Sequence, residues 1–447
     1  MPATRRIGLI TKSNRRTAVA IVGGGASGTI LAAQLAKRGI KSVIIDGSGR
    51  AGRGVAYSTR DEVHLLNVRA EAMSAWAGEP DHFAKRVAAQ GREPRSFAER
   101  QLFGEYLGEI LDEAIEKDAT QVMHAMAVRA VKEGRNWRVG ADDSSVVEAN
   151  ALVLATGNHE PDTIAAFDGM GSRFIGNPWG DAARAAVDDL ASRDAAALLV
   201  GTGLTMVDLA LSLDAAGHRG PAVALSRRGL VPRSHADFTA APVERGEVPR
   251  GLRAILRWLR RRGAEVGWRA AVDSLRPHTH SIWQGLTGDE QRQFLRHARP
   301  WWDVHRHRIA PEVAAMVSRM IAEGRLQIVA GRIVSASATP AGIEVSYRRR
   351  GMKPLQSKTF AYVFNCTGPL HSIARSKDRL LRSLLDAHEV KPDELGIGLH
   401  VDEACRAGDH LWAMGALTKG RFWETIAVPD IREQAAAVAA DIERELA

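Results

Sequence analysis

Residues 15–47 constrain the fold more than any other part of this chain. They open on the apolar run Ala18, Val19, Ala20, Ile21, Val22, turn through Gly23, Gly24, Gly25, Ala26, Ser27 and Gly28, and continue with Ile30, Leu31 and Leu35 on one stripe. After Gly39 a second apolar run, Val43, Ile44, Ile45, ends in Asp46. A buried parallel strand, G-x-G-x-x-G, a helix and a second strand closed by an acid spell a dinucleotide-binding βαβ unit. Each residue has a physical task in it. Gly23 permits the tight strand-to-helix turn, Gly25 leaves room for a pyrophosphate against the backbone, and Gly28 lets the helix lie close to the strand. Asp46 would accept hydrogen bonds from a ribose 2′-hydroxyl.

A second unit of the same design follows Pro178 and Gly180. Residues 195–200 are apolar, Gly201, Thr202, Gly203, Leu204, Thr205 and Met206 form another glycine turn, and 207–213 begin a helix. Met206 replaces the small third residue of the fingerprint. The next strand, 222–225, leads into Ser226, Arg227 and Arg228 rather than an acid. Guanidinium forks pair bidentately with a phosphate dianion, so Arg227 and Arg228 predict the 2′-phosphate of NADPH, with Gly201, Gly203 and Thr205 at the phosphate turn.

Composition narrows the function classes. With 447 residues, 45% of them hydrophobic and 25% charged, the chain buries a sizeable core and is too long for one compact unit. The formal charge of +9 comes mostly from arginine. The phosphates of a dinucleotide answer it without nucleic acid. No apolar run is long enough to span a bilayer, and the basic residues 1–16 lead into the nucleotide strand rather than a cleavable signal, so a cytoplasmic location is expected. Cys366 and Cys405 are far apart, with no C-x-x-C pair. Neither a disulfide framework nor a thiol redox centre is indicated.

Along the rest of the chain, the loop 47–54 and the excursion 55–73 lie where a bound cofactor would extend from its pyrophosphate, and they should touch its reactive half. Leu102, Tyr106, Leu107, Ile110 and Leu111 give 97–116 a helical period. Short strands at 127–131, 137–139 and 146–147 read as a small antiparallel sheet, and a buried strand at 151–154 ends in Ala155, Thr156, Gly157. Leu252, Ile255, Leu256 and Leu259 form an apolar stripe opposite Arg253, Arg257, Arg260 and Arg261. That stripe predicts a helix packed on its own domain rather than on a membrane. Trp301, Trp302, Asp303, His305 and His307 invite a metal, but alternate positions share a face only on a strand, and Arg306 and Arg308 repel a cation. A polar pocket wall or a satisfied structural cluster is expected there, and no metal. Ile328 and Val334 should lie in strands closing the second unit, while 343–347 and 361–364 return to the first. Asn365, Cys366, Thr367, Gly368 and Pro369 repeat the strand-to-Thr-Gly design. Pro429 opens a C-terminal helix, 430–446, whose positive end suits a partly anionic ring.

Two nested glycine turns, two Thr-Gly strand ends and a glycine before a capping helix resemble the two-dinucleotide-domain flavoproteins. The strings GRGVAYST, HLLNV, GTGLTMVDLAL and FWETIAVPDIREQ are similar to a bacterial family of FAD/NAD(P)-binding proteins. Its relatives with assigned roles include flavin hydroxylases of urate and amino-acid N-monooxygenases. The resemblance implies an α/β fold of two Rossmann-like domains of three-layer ββα type, the second inserted in the first, with a helical insertion at 235–325. The expected boundaries are 15–175 and 341–447 for the FAD domain and 176–340 for the NAD(P)H domain. It implies FAD held by Gly23, Gly25, Ser27, Gly28, Asp46, Asn67, Val128, Thr156, Gly157, Gly415 and Val428. The pattern F-x-G-x-x-x-H is met at Phe174 and Gly176 but has Gly180 in place of histidine, so the chain is not placed in the subgroup that carries it. The expected activity is an NADPH-dependent monooxygenase that uses molecular oxygen to hydroxylate a small polar substrate through a peroxyflavin. Its rivals are an NAD(P)H oxidase or electron-transfer reductase and a nucleotide-binding redox sensor. No catalytic side chain is named.

Overall fold

The computed structural model describes residues 14–369, 372–425 and 427–447, so the basic stretch 1–13 and Ile426 of the 425–428 segment lie outside the described residues. The strand Asn14–Val22 sits mid-sheet, parallel to Ser42–Ile45 on one side and to Val146–Leu154 on the other. Being covered on both faces, such strands must be apolar throughout, which is why Val19 to Val22 read as a continuous run. The sheet runs Arg406–Gly408, Leu411–Ala413, Val146–Leu154, Asn14–Val22, Ser42–Ile45, Thr120–Met123. One face packs on the helices Ala26–Lys37, Arg100–Glu116 and Val428–Leu446, through Ile21, Leu31, Leu35, Leu107, Val438 and Ile442. The other face packs on an antiparallel arm, Ala127–Glu133 with Asn136–Ala141, around the fully buried Trp137. Three layers result, two of strand and one of helix.

Val146–Leu154 is one strand where the sequence predicts two. Its first half also pairs antiparallel with Asn136–Ala141, and burial alternates there before becoming continuous over Ala151 to Leu154. The change of period reads in sequence as a break.

The second sheet runs Leu355–Phe360, Gly342–Arg349, Leu326–Thr339, Ala222–Ser226, Ala197–Val200, Tyr362–Asn365, Phe174–Ile175. This corrects the expectation that 343–347 and 361–364 return to the first sheet. Leu326–Thr339 turns back into Gly342–Arg349 with Thr339 opposite Gly342, so the hairpin stays in the sheet its first arm belongs to. Tyr362–Asn365 then slots in parallel beside Ala197–Val200. The chain re-enters the first sheet only at Arg406–Gly408 and Leu411–Ala413, which makes the second sheet an insertion in the first.

Between Ala222–Ser226 and Leu326–Thr339 lies a helical insertion with its own core. Leu252, Ile255, Trp283 and Phe294 pack there with Trp423 from the C-terminal segment, so the apolar stripe of Leu252–Val266 faces protein. The two sheets are tied by Arg100, whose two Nη atoms each donate to an Asp208 carboxylate oxygen at 2.9 Å from helix Arg100–Glu116 to helix Leu204–Ala215. Among the described residues, no helix is long and apolar enough to cross a membrane.

Candidate cofactor and substrate site

The first glycine turn is built by backbone contact. Gly23 has φ +103°, which L side chains rarely adopt, and a Cβ on Gly28 would collide with the Gly23 carbonyl oxygen. Gly25 differs, because a Cβ there would meet nothing nearer than Gly54 Cα at 3.6 Å. The helix Ala26–Lys37 starts after Gly25 without a side-chain cap, so its first amides and its positive end remain for an anion. Asp46 is fixed from both sides: Gly24 N donates to Oδ2 at 2.6 Å and Ser48 N to Oδ1 at 2.8 Å. Gly47 backs onto Ala125 and Met126, which brings the start of the Ala127–Glu133 strand, with Val128, beside the Asp46 loop.

The C-terminus completes this edge. Gly415 N donates to Gln434 Oε1 at 2.7 Å, and a Cβ on Gly415 would lie 3.0 Å from Ser27 Oγ. Thr156 Oγ1 is buried without a hydrogen-bond partner next to Gly157. Val428 is buried at the first turn of the C-terminal helix, two residues before the expected start. An open position at Gly25, an orphaned hydroxyl at Thr156 and an uncapped helix end fit a flavin dinucleotide.

The second turn repeats the geometry. Gly201 has φ +123° and backs onto the carbonyl of Cys366, so the Asn365 to Gly368 stretch is the Thr-Gly end of this sheet. Gly203 caps Leu204–Ala215, with Thr205 in its first turn, and Met206 is buried in the core under the helix rather than in the turn. Arg227 and Arg228 open into a cavity of ≈790 Å³ that the sequence reading missed in extent. Arg296, Arg332, Arg348, Arg349 and Arg350 share its wall. Only the run at 348–350 hinted at it.

A second cluster surrounds the start of the C-terminal helix, where the Trp301 to Arg308 segment meets a carboxylate that the sequence does not place beside it. Glu424, nearly inaccessible and at φ +72°, accepts from Arg306 Nε at 3.0 Å and from Trp302 Nε1, with His307 Nε2 3.6 Å away. The Trp301 to Arg308 segment thus folds mostly as the helix Arg299–Arg306, and Asp303 pairs with Arg299 at 3.2 Å. His280 Nε2 lies 3.4 Å from Thr425 Oγ1. Among the described residues no His, Cys, Asp and Glu are grouped to hold a metal. Beside these satisfied groups are two that are not. Asp430 Oδ2 is buried with no hydrogen-bond partner, and burial pushes its carboxyl upward against the pull of Arg276 and Arg306. Arg276 makes no ion pair among the described residues, and burial and then the Arg306 charge lower its pKa. Arg276 and Asp430, both half-buried, thus lie within electrostatic reach of each other without forming an ion pair among the described residues.

Asn67 lies on the 55–73 excursion, half-buried, and its carbonyl accepts from His235 Nε2 at 3.0 Å. Burial, reinforced by the Arg308 guanidinium, pushes the His235 imidazole from 6.5 down to about 4. Between those values the unfolded chain binds a proton that the folded chain refuses, so this contribution to stability is full above pH 6.5 and lost as pH falls toward 4. The melting temperature should therefore drop less steeply over that interval in His235→Gln than in the wild type. Equal slopes in the two proteins would show that another group governs the acid limb.

The structure gathers Gly23, Gly25, Ser27, Gly28, Asp46, Thr156, Gly157, Gly415 and Val428 at the C-terminal ends of the parallel strands of the first sheet, with Val128 on the rim. Gly201, Gly203, Thr205, Arg227 and Arg228 lie at the matching strand ends of the second. Residues 20–159 match the family model described as FAD-NAD(P)-binding. No curated protein matches the chain in sequence. Among solved structures it is similar to L-lysine 6-monooxygenase from Pseudomonas syringae, at 16% identity and TM-score 0.68 over 96% of this chain and 100% of that one. It is similar to the ornithine N-hydroxylase of Kutzneria sp. 744, at 16% identity and TM-score 0.65 over 97% and 100%. It is also similar to thioredoxin reductase from T. acidophilum, at 14% identity and TM-score 0.54 over 96% and 99%. At such identities the likeness is one of fold.

Proposed function

We propose that this chain, which carries an FAD-NAD(P)-binding domain within a fold of two dinucleotide units, is an NADPH-dependent flavin monooxygenase acting on a small polar substrate. What carries the reading is one observation: two glycine turns with strand ends of opposite charge beside them, Asp46 bonded to the first and Arg227 and Arg228 following Ser226, which is bonded to Thr202 of the second. The first suits the ribose hydroxyls of FAD, and the second suits a ribose phosphate. When bound, the flavin would take electrons from the nicotinamide and activate dioxygen, chemistry the side chains do not supply.

The chain's own residues bind, orient and exclude water. The Ala26–Lys37 helix end would hold the pyrophosphate, and Asp46 the adenosine ribose. The side chain of Asn67 makes no hydrogen bond among the described residues, which leaves it to the ligand. Trp283 stacks on Trp423 at 4.7 Å, part of the insertion's seal over the C-terminal segment. Arg276 and Asp430, which make no ion pair among the described residues, would receive the substrate, while Arg306 and Glu424, already paired, hold the wall. Substitution by Arg276→Gln or Asp430→Asn should raise the substrate KM roughly tenfold or more with flavin content unchanged.

The cysteines speak against the reductase reading that the third neighbour invites. Cys366 and Cys405 are both buried, one behind the second glycine turn and the other in the core of the first sheet. Burial pushes the Cys405 thiol up to about 12 and raises that of Cys366 as well, so neither offers a thiolate near neutrality.

The test is NADPH oxidation with a panel of amino acids, purines and aromatic acids, followed by product mass. A product heavier by one oxygen atom supports hydroxylation. Peroxide release equal to NADPH consumption with every candidate would make the protein an oxidase. Flavin reduction too slow for turnover would make it a sensor.

A further inference from the structure

The cavity beside Arg227 and Arg228 carries more positive charge than one dinucleotide phosphate answers. Arg227 and Arg228 leave the end of Ala222–Ser226, Arg296 comes from Phe294–Ala298, and Arg332, Arg348, Arg349 and Arg350 come from the Leu326–Thr339 hairpin and its return, where Arg332 stands opposite Arg348. No carboxylate lines it, and none of the seven guanidinium groups has an ion-pair partner among the described residues. Other arginines of the chain sit directly on carboxylates, Arg100 on Asp208, Arg325 on Asp214 and Arg406 on Asp441. Arg253, Arg257, Arg260 and Arg261 are spread along the Leu252–Val266 helix rather than gathered round one space. A 2′-phosphate carries close to two charges at neutral pH and occupies about two guanidinium forks. Five remain.

The shape and chemistry narrow the occupant. It is a groove open to solvent, and its ≈790 Å³ has room for a small molecule. Apart from His297, every basic residue lining it is an arginine, whose planar fork matches phosphate oxygens. The wall has no Phe, Tyr or Trp on which the bases of single-stranded nucleic acid would stack. We propose that this cavity binds a compact polyphosphate anion, and that its occupant and the 2′-phosphate of NADPH exclude each other at Arg227 and Arg228. The exclusion rests on the reading of those two arginines given above, whereas the binding does not. A polyphosphate ligand would thereby set the NADPH requirement of the protein.

Calorimetry on the flavin-loaded protein with tripolyphosphate, ATP and orthophosphate, at one fixed ionic strength, tests the site. Tripolyphosphate and ATP should saturate a single site, with orthophosphate roughly tenfold weaker or worse. Tighter binding of ATP assigns the site to a nucleoside polyphosphate, and equal binding assigns it to the phosphate chain alone. The Arg332→Gln, Arg350→Gln double variant should weaken tripolyphosphate by a similar factor and leave the KM for NADPH unchanged. Tripolyphosphate should raise that KM in the wild type without lowering kcat. Absence of saturable binding, or binding untouched in the double variant, overturns the proposal even if Arg227 and Arg228 do select NADPH. Conversely, binding that needs Arg227 and Arg228 while NADPH use does not would sustain the site and remove the nicotinamide reading.

Discussion

Gly25→Val should purify as a folded protein stripped of its flavin. The residue has φ −74°, open to any L side chain, and the nearest atom a Cβ would meet is Gly54 Cα at 3.6 Å, an ordinary contact. The protein itself therefore tolerates the change, at a helix-start cost of about 1 kcal/mol. What it does not tolerate is a ligand there: the valine methyls fill the space over the uncapped amides where a pyrophosphate must approach the backbone. Flavin absorbance per protein should fall at least tenfold, with far-ultraviolet circular dichroism preserved and a melting temperature near that of wild-type protein freed of flavin. Gly28→Val is the contrasting control. Its Cβ would strike the Gly23 carbonyl and should damage the fold itself. A folded Gly25→Val protein with full flavin content would remove the first turn from the cofactor site.

That contrast also marks what was legible in the sequence. Both βαβ units could be read because their information is local: a buried run, a glycine turn and a charged strand end lie within some thirty residues. Even Met206, which weakens the second fingerprint, changes nothing in the turn, because its side chain is buried in the core beneath the helix. The misplaced segments depend on pairing between distant residues. Thr120–Met123, the outermost parallel strand, is four residues of mixed polarity, and nothing in them alone says strand. Tyr362–Asn365 could have joined either sheet until Ala197–Val200 and Phe174–Ile175 claimed its two edges. The full extent of the cluster around Glu424 was hidden for the same reason. Asp303 and His307 are one helical turn apart, and the carboxylate that completes their surroundings, Glu424, arrives from the far C-terminal segment. Likewise, the arginine cavity needs the cross-strand register of Arg332 and Arg348 before the charge can be seen as one field.

Replacing both Arg227 and Arg228 by glutamine should raise the KM for NADPH about ten- to a hundredfold and leave that for NADH nearly unchanged. Each guanidinium hydrogen bond to a charged phosphate oxygen contributes on the order of 1.5 to 3 kcal/mol, which is about that range of discrimination. The local backbone does not depend on the arginines. Ser226 Oγ accepts from Gly229 N at 2.9 Å and lies 2.9 Å from Thr202 Oγ1, whereas among the described residues Arg228 reaches only the His297 carbonyl, at 3.4 Å. The double variant should therefore keep its flavin and its melting temperature, so that a kinetic loss reports on phosphate recognition rather than on the turn. Both arginines border solvent in the wide cavity, so raising the salt concentration in the wild type should reproduce part of the loss for NADPH and little of it for NADH. Equal use of the two nucleotides by the wild type, or equal loss of both in the variant, would make the arginines structural and leave the nicotinamide undetermined.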